Sequence, residues 1–222
     1  GVNRAGFGIV DDGAVRAAAR QEIIRRYFRY SCEYALGLAE RETVERLDVL
    51  LDNLHLEPED RVVVRPARGA AAEAQKEGRG HQGVFCGAAI ELPDGEIVTG
   101  INSPLFHAAS SLVLNAAKRL AGIPSNLHLL PPAIIESVTR LKTDVLRRRE
   151  VSLDLEETLI TLSISASSNP AAQAAMEKLP LLRNCDAHVT HIPTPGDEAG
   201  LRKLGVHLTS DPDFAGKALY VR

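Results

Sequence analysis

The stretch spanning residues 84–99 constrains the fold more than any other. Residues 84–92 form an apolar run, Pro93-Asp94-Gly95 carries turn chemistry, and residues 96–99 supply a returning β-prone run. This pattern predicts a β-hairpin, with glycine placed where the turn needs a positive φ. A two-stranded hairpin is at best marginally stable in water, so it needs further strands and a covering layer. The remaining sequence offers helices as that layer. The chain is therefore expected to be α/β, a mixed sheet flanked by helices and preceded by an N-terminal helical segment.

The helical segment comes first. Asp11 and Asp12 are N-cap candidates, and Val15, Ala18, Ala19, Ile23, Tyr27, Tyr30 and Tyr34 recur at spacings of three and four over residues 14–35. A second helix is expected over residues 41–54, where Val44, Leu47, Leu50, Leu51 and Leu54 share a face. Composition changes at Glu57-Pro58-Glu59-Asp60, which places domain limits at 1–56 and 57–222. Residues 61–65 are a short β-branched run, and Pro66 suits the first turn of a helix over residues 67–76. After the hairpin, Ser103 and Pro104 predict a helix start that runs to Gly122. Residues 127–130 read as a short buried strand, and residues 133–146 as a helix opened by Pro131-Pro132. Asp154 with Glu157 forms an Asp version of the capping box. Asn169-Pro170 restarts a helix, residues 187–192 read as a strand, and Thr194-Pro195 opens a short helix that stops at Gly205. Residues 206–209 and 219–221 are candidate final strands.

Composition narrows the function classes. The formal net charge of -3 argues against nucleic acid as partner, because that binding draws on a basic surplus. The run Arg147-Arg148-Arg149 reads as a helix C-terminus facing its dipole. Three scattered cysteines, Cys32, Cys86 and Cys185, with no CxxC pair fit a reducing, cytoplasmic compartment. No apolar run approaches the roughly 18 residues of a membrane span. The chain opens at Gly1 without Met, which raises the expectation of an upstream region.

Four constellations carry possible chemistry. Asn102, Ser103 and His107 are the catalytic candidates. A helix starting at Pro104 places Ser103 and His107 a turn apart at a helix N-terminus, suited to an anion or carbonyl oxygen, or to a nucleophile–base pair. The alternative is a capping serine and an ordinary histidine. Asn3 and Arg4, in a glycine-punctuated lead-in, are the anion-binding candidates, against a plain hinge. Cys185, His188 and His191 have a metal-like spacing, but along one strand the two histidines point to opposite faces. Ser163, Ser165, Ser167, Ser168 and Asn169 fit close packing through small residues or a polar pocket before Pro170.

Three ordered blocks carry a family resemblance: GVNRAGFGIVDD with QEIIRRYF, then GAAIELPDGEIVTGINSPLFHAASSLVLNAAKRLAGIP, then LITLSISASSNPAAQAAMEKLPLLRNCDAH. Together they resemble the C-terminal portion of the bacterial DUF 1846 family. The resemblance implies a protein about twice this length, whose N-terminal half bears a GPGSGK-like segment suggestive of nucleotide phosphate binding. It brings no established activity. A fainter likeness is to the cytidine-deaminase-like fold. Residues 87–102 resemble its hairpin, His107-Ala108-Ala109 stands where that fold carries His-Ala-Glu, and residues 131–135 stand where it carries Pro-Cys-x-x-Cys. Ala109, Pro132 and Ile135 lack the acid and the thiolates, so no zinc is expected. The resulting expectation is the C-terminal domain of a cytoplasmic bacterial protein, an accessory or assembly domain without its own complete active site. Its partners are a missing N-terminal domain and copies of itself, with no nucleic acid and no membrane. The alternative is half of a nucleotide- or phosphate-binding enzyme site shared with that missing domain. No cofactor is expected in this chain, and a nucleotide only together with the N-terminal half.

Overall fold

The computed structural model describes residues 11–216. It divides into two units, Gly1–Arg61 and Val62–Arg222. In the first, helices α1 (Asp12–Ala35) and α2 (Arg41–Leu54) pack together. The Asp11 carboxylate caps α1 by accepting from Ala14 N at 2.9 Å. α2 ends where His55 takes a left-handed conformation at φ 49°. Gln21 of α1 then ties down the following 3-10 turn (Pro58–Asp60) through the Asp60 carbonyl at 3.1 Å.

The second unit holds the mixed sheet, in the order β2-β1-β3-β4. Strands β1 (Gly87–Glu91) and β2 (Ile97–Ile101) are the expected hairpin, with Gly95 at φ 83° in its turn. β3 (Asp186–Val189) pairs antiparallel with β1, and β4 (His207–Ser210) pairs parallel with β3. Alternation along β1 assigns the two faces. Ala88 and Ile90 point into the main core with Leu112, Val113 and Ala116 of α4 (Ala108–Leu120). Ala89 points the other way, to Val63 and Ala67 beside and within α3 (Val64–Lys76). Helices therefore cover both faces, as expected.

Two glycines set how closely those helices approach. A Cβ on Gly100 would lie 2.7 Å from Leu112 Cα and 2.8 Å from Ala108 O, both on α4. One on Gly87 would lie 2.7 Å from Ala71 N of α3. Real side chains do not tolerate such approaches to backbone, so the layer spacing depends on glycine at both positions.

The remaining helices complete the unit. α5 (Pro132–Arg140) continues into a π-helical turn (Leu141–Val145). α6 (Leu155–Ala166) starts with the expected capping box, Asp154 accepting from Glu157 N and Glu157 accepting from Asp154 N. α7 (Pro170–Met176) is capped by Asn169, and α8 (Pro195–Lys203) by Thr194. A second cluster joins Leu114 and Ala117 of α4 to Ile135, Leu162, Ala172 and Ala175 of α5, α6 and α7.

Four local expectations need correction. The helix expected over residues 67–76 already opens at Val64, inside the β-branched run 61–65, and buries Val64 and Ala67. Residues 127–130 form no strand; Leu129 and Leu130 are buried by helix packing in the second cluster. Residues 133–146 are not one α-helix, since the ladder widens at Leu141. α4 begins at Ala108 rather than Pro104. Ser103 closes a turn there, its Oγ accepting from Phe106 N at 3.1 Å, while Phe106 bridges to Leu153 as if in a sheet. Residues 219–221 lie outside the described residues.

Candidate functional site

Pairing β1 with β3 brings two chain breaks together at one end of the sheet. The loop after β2 and the loop after β3 both open there onto a cleft of about 1410 Å3, inside the second unit. Its wall includes Cys86, Asn102, Ser103, His107, Asp154 and His191.

His107 is the residue just before α4, and its backbone N–H donates to Leu153 O at 3.0 Å. Its imidazole Nδ1 stands 2.7 Å from Asp197 Oδ2. Asp197 is the third residue of α8 and is 1% exposed. The same carboxylate accepts from the Thr194 hydroxyl at 2.7 Å and from Leu155 N at 2.9 Å. Burial works to raise the Asp197 pKa, but the His107 bond and charge, the Thr194 hydroxyl and the Leu155 amide outweigh it, and the net shift is downward. Asp197 is thus ionised, and Nδ1–H of His107 is the donor. For His107, burial works to lower the pKa; the Asp197 bond and charge, with Glu150 and Asp154 beyond, outweigh it and raise it.

The expected catalytic candidates, Asn102, Ser103 and His107, all line the cleft, in different capacities. The Asn102 side chain is a staple. Its Oδ1 accepts from Cys86 N at 2.8 Å and its Nδ2 donates to Val84 O at 3.0 Å, fixing the chain before β1 to the chain after β2. Ser103 Oγ accepts from Leu105 N and Phe106 N at 3.3 and 3.1 Å. Ser103 also borders a second, more apolar cavity of about 770 Å3. The anion candidates Asn3 and Arg4 lie outside the described residues. Cys86 is buried, and burial together with the Asp197 charge pushes its thiol up to about 12.

The structure separates Cys185, His188 and His191. β3 ends at Val189, so strand alternation no longer relates the two histidines. His188 is hydrogen-bonded through Nδ1 with Thr209 Oγ1 at 2.9 Å and faces Asp211 at 3.3 Å. With Arg68 on the same carboxylate, Asp211 is drawn down to about 2 against the effect of its burial. Cys185 Sγ meets Leu181 O at 3.6 Å. Among the described residues no group of three His, Cys, Asp or Glu side chains is placed to hold a metal ion. The serine tract bonds its own helix instead: Ser165 Oγ donates to Thr161 O and Ser167 Oγ to Ile164 O, each at 2.7 Å.

His191 sits on the loop after β3 and is 6% exposed. Its Nδ1 is buried without a hydrogen-bond partner. Burial, the largest influence, brings its pKa down to about 4 from an ordinary 6.5. The sign of the pH dependence follows. Between these values the unfolded chain takes up a proton that the folded one refuses, so stability is full above pH 6.5 and falls towards pH 4. The integrated loss is about 3 kcal/mol. Urea unfolding across this range is expected to show that slope in the wild type and to lose it in His191→Leu.

Four residues at or behind this cleft were not read from the sequence as part of it. Asp197 is 90 residues from His107, and only its place near a Thr-Pro helix start was visible. Arg148 and Arg149 line the cleft, where the sequence suggests a helix C-terminus with cations facing its dipole. Lys142, 3% exposed in the π-helical turn, donates to Ser152 O and Glu157 Oε2, each at 2.6 Å.

Comparison with known proteins gives the following. Residues 59–220 match the model for "Domain of unknown function DUF1846, C-terminal", and residues 1–55 that for "Domain of unknown function DUF1846, N-terminal". The chain is 46% identical over 220 residues to a UPF0371 protein of Clostridium botulinum strain Eklund 17B. It is 46% identical to one of Clostridioides difficile strain 630 and 44% identical to one of Clostridium tetani. Each match covers 99% of this chain and 44% of the relative, so the chain spans less than half the length of these curated relatives. The N-terminal match overturns the expectation of a lone C-terminal accessory domain, and with it that of a half-site shared with a missing N-terminal domain. Sequence belonging to the N-terminal family model is already present in residues 1–55. Among the described residues no helix is long and apolar enough to cross a membrane.

Proposed function

The chain belongs to the DUF1846 family, a family of unknown function, and we propose that its second unit is a hydrolase domain in which His107 activates water in the cleft. The observation that carries this reading is the 2.7 Å bond between a cleft-lining imidazole and a buried carboxylate. Asp197 fixes the Nδ1–H tautomer, which leaves Nε2 as the proton-accepting atom. Nε2 takes a proton from water, and the water oxygen attacks an acyl carbon or phosphorus. The ester bond to the leaving oxygen breaks, and the imidazolium returns its proton to that oxygen. Water fits better than a side-chain nucleophile. Ser103 Oγ is engaged by two amides, and the Cys86 thiol is held protonated by burial.

The test is release of p-nitrophenol from p-nitrophenyl acetate, p-nitrophenyl phosphate and bis(p-nitrophenyl) phosphate by the 222-residue chain. Turnover of at least one ester is expected. It rises with pH through the raised His107 pKa, then levels, because the neutral imidazole is the base. His107→Ala is expected to lower it by about 10²–10⁴-fold. No turnover of any of the three, or turnover untouched by His107→Ala, rules this reading out.

Cytoplasmic placement and self-association stay with the proposal. Three buried cysteines, Cys32, Cys86 and Cys185, with no CxxC pair among them, support a reducing compartment. Val49, Leu50 and Leu54, exposed on α2, support self-association, which light scattering would measure.

A further inference from the structure

We infer that His191 is a second catalytic residue of this cleft, a neutral imidazole that hydrogen-bonds the substrate oxygen on which negative charge develops. The inference rests on the hydrolytic reading above and adds a residue to it.

The first observation is an unsatisfied polar atom at a place where the fold does not need one. His191 is 6% exposed, lines the cleft, and its Nδ1 is shut off from solvent with no partner. Leaving a buried polar group unpaired costs about 1–3 kcal/mol. A leucine at this position would avoid the cost.

The second observation is that the loop is fixed on both sides of the ring. Thr190 N donates to Gly87 O, and Gly87 N donates to Thr190 Oγ1, both at 2.9 Å. Ile192 N donates to Asp213 O at 2.7 Å. The backbone that carries the imidazole is thus set on both sides before any substrate arrives, as stabilisation of a transition-state charge requires.

The third is the charge state. The groups acting on His191 are Asp197 from α8, Asp211 after β4, His107 before α4 and His188 from β3. The two carboxylates favour its protonation and the two histidines oppose it; burial exceeds all four. The ring therefore stays neutral at neutral pH, a poor base but an effective hydrogen-bond donor. His107 has the opposite character: its carboxylate partner makes it the stronger base. One cleft thus holds two imidazoles whose surroundings fit them to different tasks.

The test compares His191→Leu and His191→Gln with wild type and His107→Ala, using the same three nitrophenyl esters and urea unfolding at pH 5 and pH 8. His191→Leu is expected to be at least as stable as wild type at pH 5, yet to lose about 10²-fold in kcat. His191→Gln, which keeps a side-chain N–H, is expected to retain more turnover than His191→Leu. An unstable His191→Leu protein at both pH values would make the ring structural and overturn the inference. So would a stable His191→Leu protein with unchanged kcat, or equal losses in both His191 variants. Turnover abolished by His107→Ala but intact in His191→Leu removes this inference alone. No turnover by wild type removes it together with the reading it rests on.

Discussion

Asp197→Ala is expected to lower the unfolding free energy of the second unit by about 3–5 kcal/mol near pH 5, the range for removing one partner of a buried ion pair. The carboxylate is 1% exposed and accepts three hydrogen bonds. Its loss leaves Leu155 N, in a residue with 0% exposure, without an acceptor. It also leaves the His107 imidazole buried without its counter-charge. Of the influences on His107, burial is the largest, and it lowers the pKa; the Asp197 bond and charge reverse it. The His107 pKa is therefore expected to fall in the variant, measured by NMR of the ring protons. The pH window has two edges. Asp197 is depressed below its ordinary 3.8, so its contribution is present above that value and is lost as pH falls through the folded pKa. His107 is raised above 6.5, so its contribution is present below that value and is lost as pH rises through the folded pKa. The gap between wild type and variant in urea midpoint is thus widest between these limits and narrows on either side. A gap that is flat from pH 4 to pH 9 would show that Asp197 acts through packing alone.

The layer architecture was legible because it rests on local signals. Pro93-Asp94-Gly95 marks its turn wherever it occurs, and the spacing of Val44, Leu47, Leu51 and Leu54 marks a helix face. The capping box at Asp154 and the Thr194-Pro195 start also hold in the structure, since each is decided within four residues. Where a tertiary partner decides, the local signal misleads. Ser103 has the chemistry of a helix cap, yet the bridge from Phe106 to Leu153 pulls the next residues into an extended path and delays α4 to Ala108. Leu129 and Leu130 are as apolar as a buried strand, but helices bury them.

The candidate site divides in the same way. His107 was reachable from the sequence as a histidine following a hairpin and preceding a helix. Its partner was not, because nothing in Thr194-Pro195-Gly196-Asp197 tells that this carboxylate turns inward to meet a residue 90 positions earlier. The special character of His191 was also hidden. Strand alternation placed it opposite His188, but β3 stops at Val189, and only then does the loop carry His191 into the cleft. Asn3 and Arg4 lie outside the described residues, so their role as an anion site is a proposal for mutagenesis.

Gly100→Ala is expected to destabilise the second unit by about 3 kcal/mol, and so to lower Tm by roughly 6–12 °C. The added methyl has nowhere to go. It meets Leu112 Cα at 2.7 Å and Ala108 O at 2.8 Å, and both are backbone atoms of α4, which cannot swing aside as a side chain would. The sheet and the helix must therefore part. α4 is the helix that His107 precedes, and β2 is the strand that Asn102 follows, so parting them disturbs the cleft as well as the core. The bond between His107 and Asp197 depends on the position of α4 relative to α8, and its 2.7 Å length leaves little slack before it weakens. Gly100→Ala is therefore expected to lower the His107 pKa as well as Tm, although residue 100 does not itself touch the imidazole. Gly95→Ala separates this effect from general loss of stability. Gly95 is in the hairpin turn at φ 83° with open space around it, so alanine there meets backbone strain of about 1–2 kcal/mol and no clash. It should lower Tm less and leave the His107 titration where it is. If both variants shift that titration alike, the pair responds to overall stability, and the close approach of α4 to β2 has no particular hold on the site.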